Sequence, residues 1–150
     1  MDKFGKVSFI GFGLINSSLA HIFKLKKLAN KTSAFSRRIE TRDKIRSLNI
    51  VDIVNDDIED SVKDSDLIVL GVPVGAMESV IKKILPYLKK GVIITDVGSI
   101  KKKLVDTLVP LLPKDVYFIP GHPIAGTEKS GPESGFPELF NGRWCILTPY

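Results

Sequence analysis

The sequence predicts an α/β fold: a doubly wound, mostly parallel sheet with helices on both faces. Three observations carry this. Short apolar runs alternate with segments of about ten residues that bear a helical stripe. The runs are continuously apolar rather than alternating, as in parallel strands covered on both sides. The first of them ends on Gly11-Phe12-Gly13 just where a helix opens.

In chain order, Lys6 to Gly11 reads as a buried strand ending in glycine, and Leu14 to Lys27 as a helix with Ile15, Leu19, Ile22 and Phe23 on one stripe. Lys31 to Ser36 is a second strand, Ile39 to Leu48 a helix rich in Arg and Lys, and Ile50 to Val54 a third, shorter strand. Asp66 to Pro73 holds the clearest buried strand, closed by Gly71-Val72-Pro73. Ala76 to Leu88 follows as a helix that Pro86 kinks or ends early. Val92 to Asp96 and Val116 to Pro120 are strands on either side of an Ile100 to Leu108 helix. The stretch from Gly121 to Gly142 is rich in Gly, Pro, Ser and Glu, with one helical turn expected around Pro137 to Phe140, and Arg143 to Thr148 closes the chain as a strand. A connection of about twenty residues is long for a compact domain, and such loops are usually functional or disordered.

Composition bounds the function. The 150 residues fit one domain and exclude a two-domain enzyme within this chain. Hydrophobic residues at 43% and charged residues at 26% exclude a disordered or fibrous protein. No apolar run approaches the ~18 residues of a membrane span, and Met1-Asp2-Lys3-Phe4-Gly5-Lys6 leads straight into a strand, leaving no room for a signal peptide. The single cysteine, Cys145, excludes an internal disulfide or a Cys-rich metal site and suits a reducing cytoplasm; no metal is expected. The net charge of +5 comes with cations crowded between Lys24 and Arg46 and acids between Asp52 and Asp66. These read as solvated helix faces, or as an anion site near Arg37 and Arg38. Nucleic acid is not an expected partner, because aromatics make up 8% of the chain and do not interleave with the basic run.

Gly11-Phe12-Gly13-Leu14-Ile15-Asn16 follows a strand and opens a helix, the context that gives a G-x-G-x-x-G signal its meaning. The first glycine permits the tight turn, and the second lets a pyrophosphate approach the positive end of the helix. This is the dinucleotide site of a Rossmann-type fold, with a plain glycine-rich turn as the alternative. Asn16 stands where a third glycine normally allows close helix–strand packing. At the tip of the second strand a carboxylate would mark NAD and an arginine the 2′-phosphate of NADP. The chain has Ser36-Arg37-Arg38 there, and one good charge-assisted contact would favour NADP by roughly 10- to 100-fold. Arginines pointing into solvent are the alternative.

Two further segments sit beyond strand ends. Gly71-Val72-Pro73-Val74 is too apolar for chemistry but suited to line a nicotinamide-ribose pocket. Ser99, in Asp96-Val97-Gly98-Ser99-Ile100-Lys101, is either a helix cap or a site residue. His21 sits mid-helix beside lysines and reads as a surface residue, whereas His122 lies after a strand between Gly121 and Pro123. A histidine held in that rigid setting is a candidate acid or base, with a purely structural loop residue as the alternative.

These segments together resemble the prephenate/arogenate (cyclohexadienyl) dehydrogenase family of tyrosine biosynthesis. The resemblance lies in Gly11-Phe12-Gly13-Leu14-Ile15, in Asp96 to Lys101, and above all in Gly121-His122-Pro123-Ile124-Ala125-Gly126-Thr127-Glu128-Lys129-Ser130-Gly131. Leu139-Phe140 and Ile146-Leu147-Thr148-Pro149 extend it to the end of the chain. It implies that His122 takes the proton of the substrate's ring hydroxyl while the ring carboxylate leaves as CO2. It implies that Ser99 hydrogen-bonds substrate and histidine, and that Thr127 and Glu128 line the substrate pocket with Glu128 at its entrance. The cofactor contacts at Gly11 to Ile15, Ser36 to Arg38 and Val72 to Val74 rest on the residues themselves; the family usually has glycine where Asn16 stands, and its NAD-using members an acidic residue where Ser36 stands. The resemblance also implies a C-terminal helical domain, absent from this chain, that forms a homodimer and supplies cations for the substrate's carboxylates. A β-hydroxyacid dehydrogenase, or a non-catalytic NADP-binding module, is the alternative function.

Overall fold

Six of the apolar runs join in one sheet that is parallel throughout: β1 (Phe4–Ile10), β2 (Ala29–Phe35), β3 (Ile53–Val54), β4 (Leu67–Leu70), β5 (Ile93–Asp96) and β6 (Tyr117–Ile119). Their order is β3-β2-β1-β4-β5-β6, and the computed structural model describes residues 3–149. Strand side chains alternate, so each strand feeds two cores. Val7, Phe9 and Val69 pack under Ala20 of α1 (Leu14–Lys26) and Ile45 of α2 (Ile39–Leu48). Ile10, Ile68, Leu70 and Ile94 pack against the other three helices, α3 (Ile58–Val62), α4 (Val74–Ile84) and α5 (Lys102–Leu108). The chain builds outward from β1 to β3, then crosses back through α3 to start again at β4. That reversal opens a crevice beyond the carboxyl ends of β1 and β4, the place where ligands of such sheets bind.

The boundaries differ from the expected ones for identifiable reasons. The third strand shrinks to two residues, and α3 forms inside the acidic run, where no helix was expected. Ile58 and Val62 are buried there, and Ser61 closes against the sheet. Small residues allow this: the Ser8 and Ser33 hydroxyls meet at 2.7 Å beneath α3, and Ser33 also donates to the Ser61 carbonyl at 2.9 Å. Helix α4 begins directly after Pro73 rather than at Ala76, and Pro86 ends it in a 3-10 turn, Leu85–Tyr87. After β6 the chain makes a separate ribbon in which β7 (Gly121–Pro123) pairs antiparallel with β8 (Cys145–Leu147). The closing strand therefore lies outside the main sheet, and the glycine-rich segment opens with a strand of its own. The helical turn expected at Pro137–Phe140 is a 3-10 turn, and a second one lies at Pro132–Ser134.

At the amino ends of the strands, the Asp66 carboxylate accepts from the Lys6 backbone N–H at 3.0 Å and pairs with the Lys89 ammonium. The Lys89 hydrogen bond, more than the Lys6 amide, holds the Asp66 carboxyl below the usual carboxylate range. A carboxyl with a lowered folded-state pKa stabilises the fold above the unfolded value of about 3.9 and loses that contribution as pH falls through the lower folded value. Asp66→Asn is therefore expected to flatten the acid limb of stability, read by denaturant unfolding from about pH 6 to about pH 2. Identical acid limbs in the two proteins would refute the assignment.

Candidate active site

The turn after β1 is shaped by lack of space. Gly11 has φ +77°, and a Cβ there would sit 2.7 Å from Val72 Cγ1 and 2.8 Å from the Gly71 carbonyl carbon. Its N–H donates to the Phe35 carbonyl at 2.9 Å, which ties the turn to the end of β2. Gly13 is the reverse case: nothing lies within 4 Å of a Cβ built on it. The backbone is open there, at the amino end of the 13-residue α1, whose first turn carries no acidic residue. That combination of free N–H groups, positive dipole end and bare backbone suits a phosphate.

The turn floors a cleft of about 590 Å³ lined by Gly11, Phe12, Gly13, Ser36, Arg37 and Arg38, with Lys83 of α4 also reaching it. Arg37 and Arg38 are exposed, and Arg38 lies 3.6 Å from Glu40. Sequence reasoning missed the arginine that organises this corner. Arg42, its side chain 12% exposed, lies over the Phe35 ring and donates to the Ser36 carbonyl at 2.8 Å and the Arg37 carbonyl at 3.1 Å. It also pairs with Asp56 at 3.1 Å; Arg46 first, and then Arg42, hold that carboxyl below its usual range. No single-residue signal marks Arg42, because its role depends on the turn folding back over α2.

A second pocket, about 460 Å³, continues along the sheet edge and shares Gly71, Val72 and Pro73 with the first. It brings together Ile15, Val74, Ser99 and His122. Four separate segments thus line one pocket. Leu14 is the exception among the loop residues: it opens α1, half-buried, and lines neither cleft. His122 is half-buried on β7, and its strand is registered against Ile146. Ser99 is exposed and caps nothing, because α5 starts only at Lys102 with Lys101 as its cap residue. The helix-cap explanation of Ser99 is thereby removed.

What shapes the Ser99 turn instead is Asp96, whose carboxylate is fully buried. It accepts from the Gly98 N–H at 2.9 Å and the Gly121 N–H at 3.3 Å, and pairs with the Lys101 ammonium. Lys101 in turn donates to the Gly121 carbonyl at 2.6 Å. The residue before His122 is thus held on both its backbone groups by one ion pair.

Thr127 and Glu128 lie apart, in an adjacent cavity of about 660 Å³ with Glu133 and Phe136. The segment that carries them is riveted to the helices. Ser17 Oγ donates to the Pro132 carbonyl at 2.5 Å, the Phe136 N–H donates to Ser18 Oγ at 3.1 Å, and Lys44 pairs with Glu133 at 3.3 Å. This returns Gly131 and Pro132 to the wall of the first cleft, a second contribution that the sequence did not announce. His21 is half-buried, and burial lowers its pKa, against which Glu138 acts. It is a partly covered surface residue. Among the described residues, no three His, Cys, Asp or Glu side chains converge on a metal position, and no helix is long and apolar enough to cross a membrane.

Residues 19–150 match the family described as prephenate dehydrogenase, nucleotide-binding domain. A cyclohexadienyl dehydrogenase from Zymomonas mobilis is 44% identical over 149 residues, 99% of this chain and 50% of the relative. The Aquifex aeolicus prephenate dehydrogenase, solved in complex with hydroxyphenyl propionate and NAD+, superimposes with a TM-score of 0.88 at 34% identity, over 97% of this chain and 51% of that one. Synechocystis arogenate dehydrogenase gives 0.86 at 29% identity, over 97% and 50%. The chain spans about half the length of these relatives.

Proposed function

The chain belongs to the prephenate dehydrogenase family through its nucleotide-binding domain, and from that premise we propose that it serves the oxidative decarboxylation of prephenate or arogenate, with His122 as base and NADP favoured over NAD. The observation that carries this is the pocket where Ser99 and His122 meet Ile15 and Val72 to Val74, continuous with the glycine-loop cleft. A dinucleotide fits the residues present: Gly11 leaves no room for a side chain in the turn, while Gly13 leaves the backbone open at a helix amino end. Gly11 to Ile15 would hold its pyrophosphate side, Ser36 to Arg38 its adenosine 2′-phosphate, and Val72 to Val74 its nicotinamide ribose. When bound, the oxidised nicotinamide supplies the hydride acceptor.

His122 takes the proton of the substrate's ring 4-hydroxyl, and the O–H pair becomes the C4–O π bond as the C4–H bond breaks and its electron pair leaves with the hydrogen as hydride. Loss of the ring carboxylate as CO2 returns an electron pair to the ring, which aromatises as the phenolic oxygen takes up a proton. A base works within about 3 Å of the proton it takes and contributes typically 10²–10⁴-fold. Ser99 fixes that geometry by hydrogen bonding substrate and imidazole, and Thr127 and Glu128 line the approach, with Glu128 at the entrance. The product is 4-hydroxyphenylpyruvate from prephenate, or tyrosine from arogenate. The half of the relatives' length beyond this chain is proposed to be a helical domain that forms the homodimer and supplies cations for the substrate's carboxylates. The single, exposed Cys145 supports a reducing, cytoplasmic setting.

Calorimetric titration of NADP+ and NAD+ in one buffer at one salt concentration tests the cofactor assignment. NADP+ is expected to bind roughly 10- to 100-fold tighter, and Arg37→Ala with Arg38→Ala to erase that difference while leaving NAD+ affinity unchanged. Equal or tighter binding of NAD+ by the unmodified chain would remove the preference, and binding of neither would remove the dinucleotide site.

A further inference from the structure

We infer that Asn16 is a positioning residue for dinucleotide binding and that Gly71 is its obligatory partner. The close contact that a third fingerprint glycine normally allows from the helix side is allowed here from the end of the neighbouring strand. The inference rests on the dinucleotide reading above.

Asn16 is 1% exposed. Its Nδ2 donates to the Gly11 carbonyl at 2.7 Å and to the Val69 carbonyl at 3.3 Å. Both partners are acceptors, so the amide nitrogen must face them. One side chain on the first turn of α1 therefore ties the turn after β1 to β4. The cost of this arrangement is visible in the same group: Asn16 Oδ1 is buried with no hydrogen-bond partner among the described residues. A glycine at position 16 would avoid that cost, so the gain lies with the donor side, on the loop that receives the phosphates.

Gly71 makes room for the amide. A Cβ on Gly71 would lie 2.8 Å from Asn16 Cγ and 3.2 Å from Oδ1, and nearer still to Nδ2. Gly71 has no positive φ, so space and not backbone conformation excludes a side chain there. Its N–H donates to the Ile10 carbonyl at 2.7 Å, which leaves it no freedom to retreat. Gly71 lines both clefts, so the Asn16–Gly71 contact lies beneath the joint between the adenosine and nicotinamide halves. Asn16 thus holds the Gly11–Gly13 loop in its binding shape before ligand arrives, which reduces the ordering cost of binding.

The test is NMR-detected titration of this chain with ADP-ribose, which carries the pyrophosphate, and with adenosine, which does not, well below each variant's unfolding midpoint. Asn16→Ala is expected to weaken ADP-ribose by about tenfold, the net worth of one good hydrogen bond, and to leave adenosine unchanged. Gly71→Ala is expected to weaken ADP-ribose at least as much, while Asn16→Gly/Gly71→Ala binds as well as Asn16→Gly alone. Should Gly71→Ala fail to fold, the Asn16→Gly pair still carries the comparison. Unchanged ADP-ribose affinity in Asn16→Ala, with only the melting temperature lowered, would overturn the inference, as would equal weakening of both ligands. A loss from Gly71→Ala in the Asn16→Gly background would overturn the coupling. If the unmodified chain binds no ADP-ribose, the dinucleotide reading fails first and takes the inference with it.

Discussion

Replacing His122 with asparagine in the enzyme that carries this domain is expected to lower turnover by roughly 10²-fold or more, with dinucleotide affinity unchanged. Asparagine retains a polar group of similar reach on β7 but cannot take a proton, so the substitution separates proton transfer from packing. The strand is held by backbone pairing to β8, which the side chain does not enter. His122 lines the pocket beyond Pro73 and not the cleft around Gly11 to Gly13, which is why cofactor affinity should survive. Steady-state rates with prephenate and with arogenate, alongside cofactor titration, check both halves of the expectation. A rate within a few-fold of the unmodified enzyme would remove His122 from the mechanism.

The second large effect concerns the ion pair behind the site. Asp96→Asn or Lys101→Met alone is expected to destabilise the chain by about 3–5 kcal/mol, because each leaves the other charge buried without its partner. The Asp96 side chain is 0% exposed and that of Lys101 14%, so neither can turn to water without breaking the backbone bonds at Gly98 and Gly121. The double variant Asp96→Asn/Lys101→Met is expected to lose less than the two single effects added together, since it strands no charge. Urea unfolding of the four proteins gives the cycle. Single losses below about 1 kcal/mol would show that the pair behaves as an exposed one.

Much of the molecule is written in short-range pattern. Continuous apolar runs specify the parallel strands because a strand covered on both faces has no polar side to show. Gly11 and Gly13 mark a strand-to-helix turn because one permits a positive φ and the other bares the backbone. The run from Gly121 to Gly131 pointed to the His122 pocket. The errors fall where pattern is weak. Helix α3 has five residues inside an acidic stretch, too short to show a period, and it forms because Ser8 and Ser33 let it close on the sheet. The closing strand β8 falls within the expected one, but β7 was missed because Gly-His-Pro has no strand propensity of its own; backbone bonds to β8, more than twenty residues away, create it. Ser99 reads equally as a cap or a site residue until Asp96 is seen to organise its turn.

By itself, then, the sequence determined the doubly wound sheet, the glycine turn between β1 and α1 and the set of segments that reach the carboxyl edge, since each is encoded by neighbours within one turn or one strand. Tertiary structure alone decided which groups brace that edge: Asn16 against Gly71, Ser17 against Pro132, Arg42 over Ser36, Asp96 and Lys101 on Gly121. Except for Arg42, these pairs bridge residues 20 or more apart in the chain. A buried polar group takes whichever complementary donor or acceptor the fold brings within about 3 Å, and that choice has no local signature.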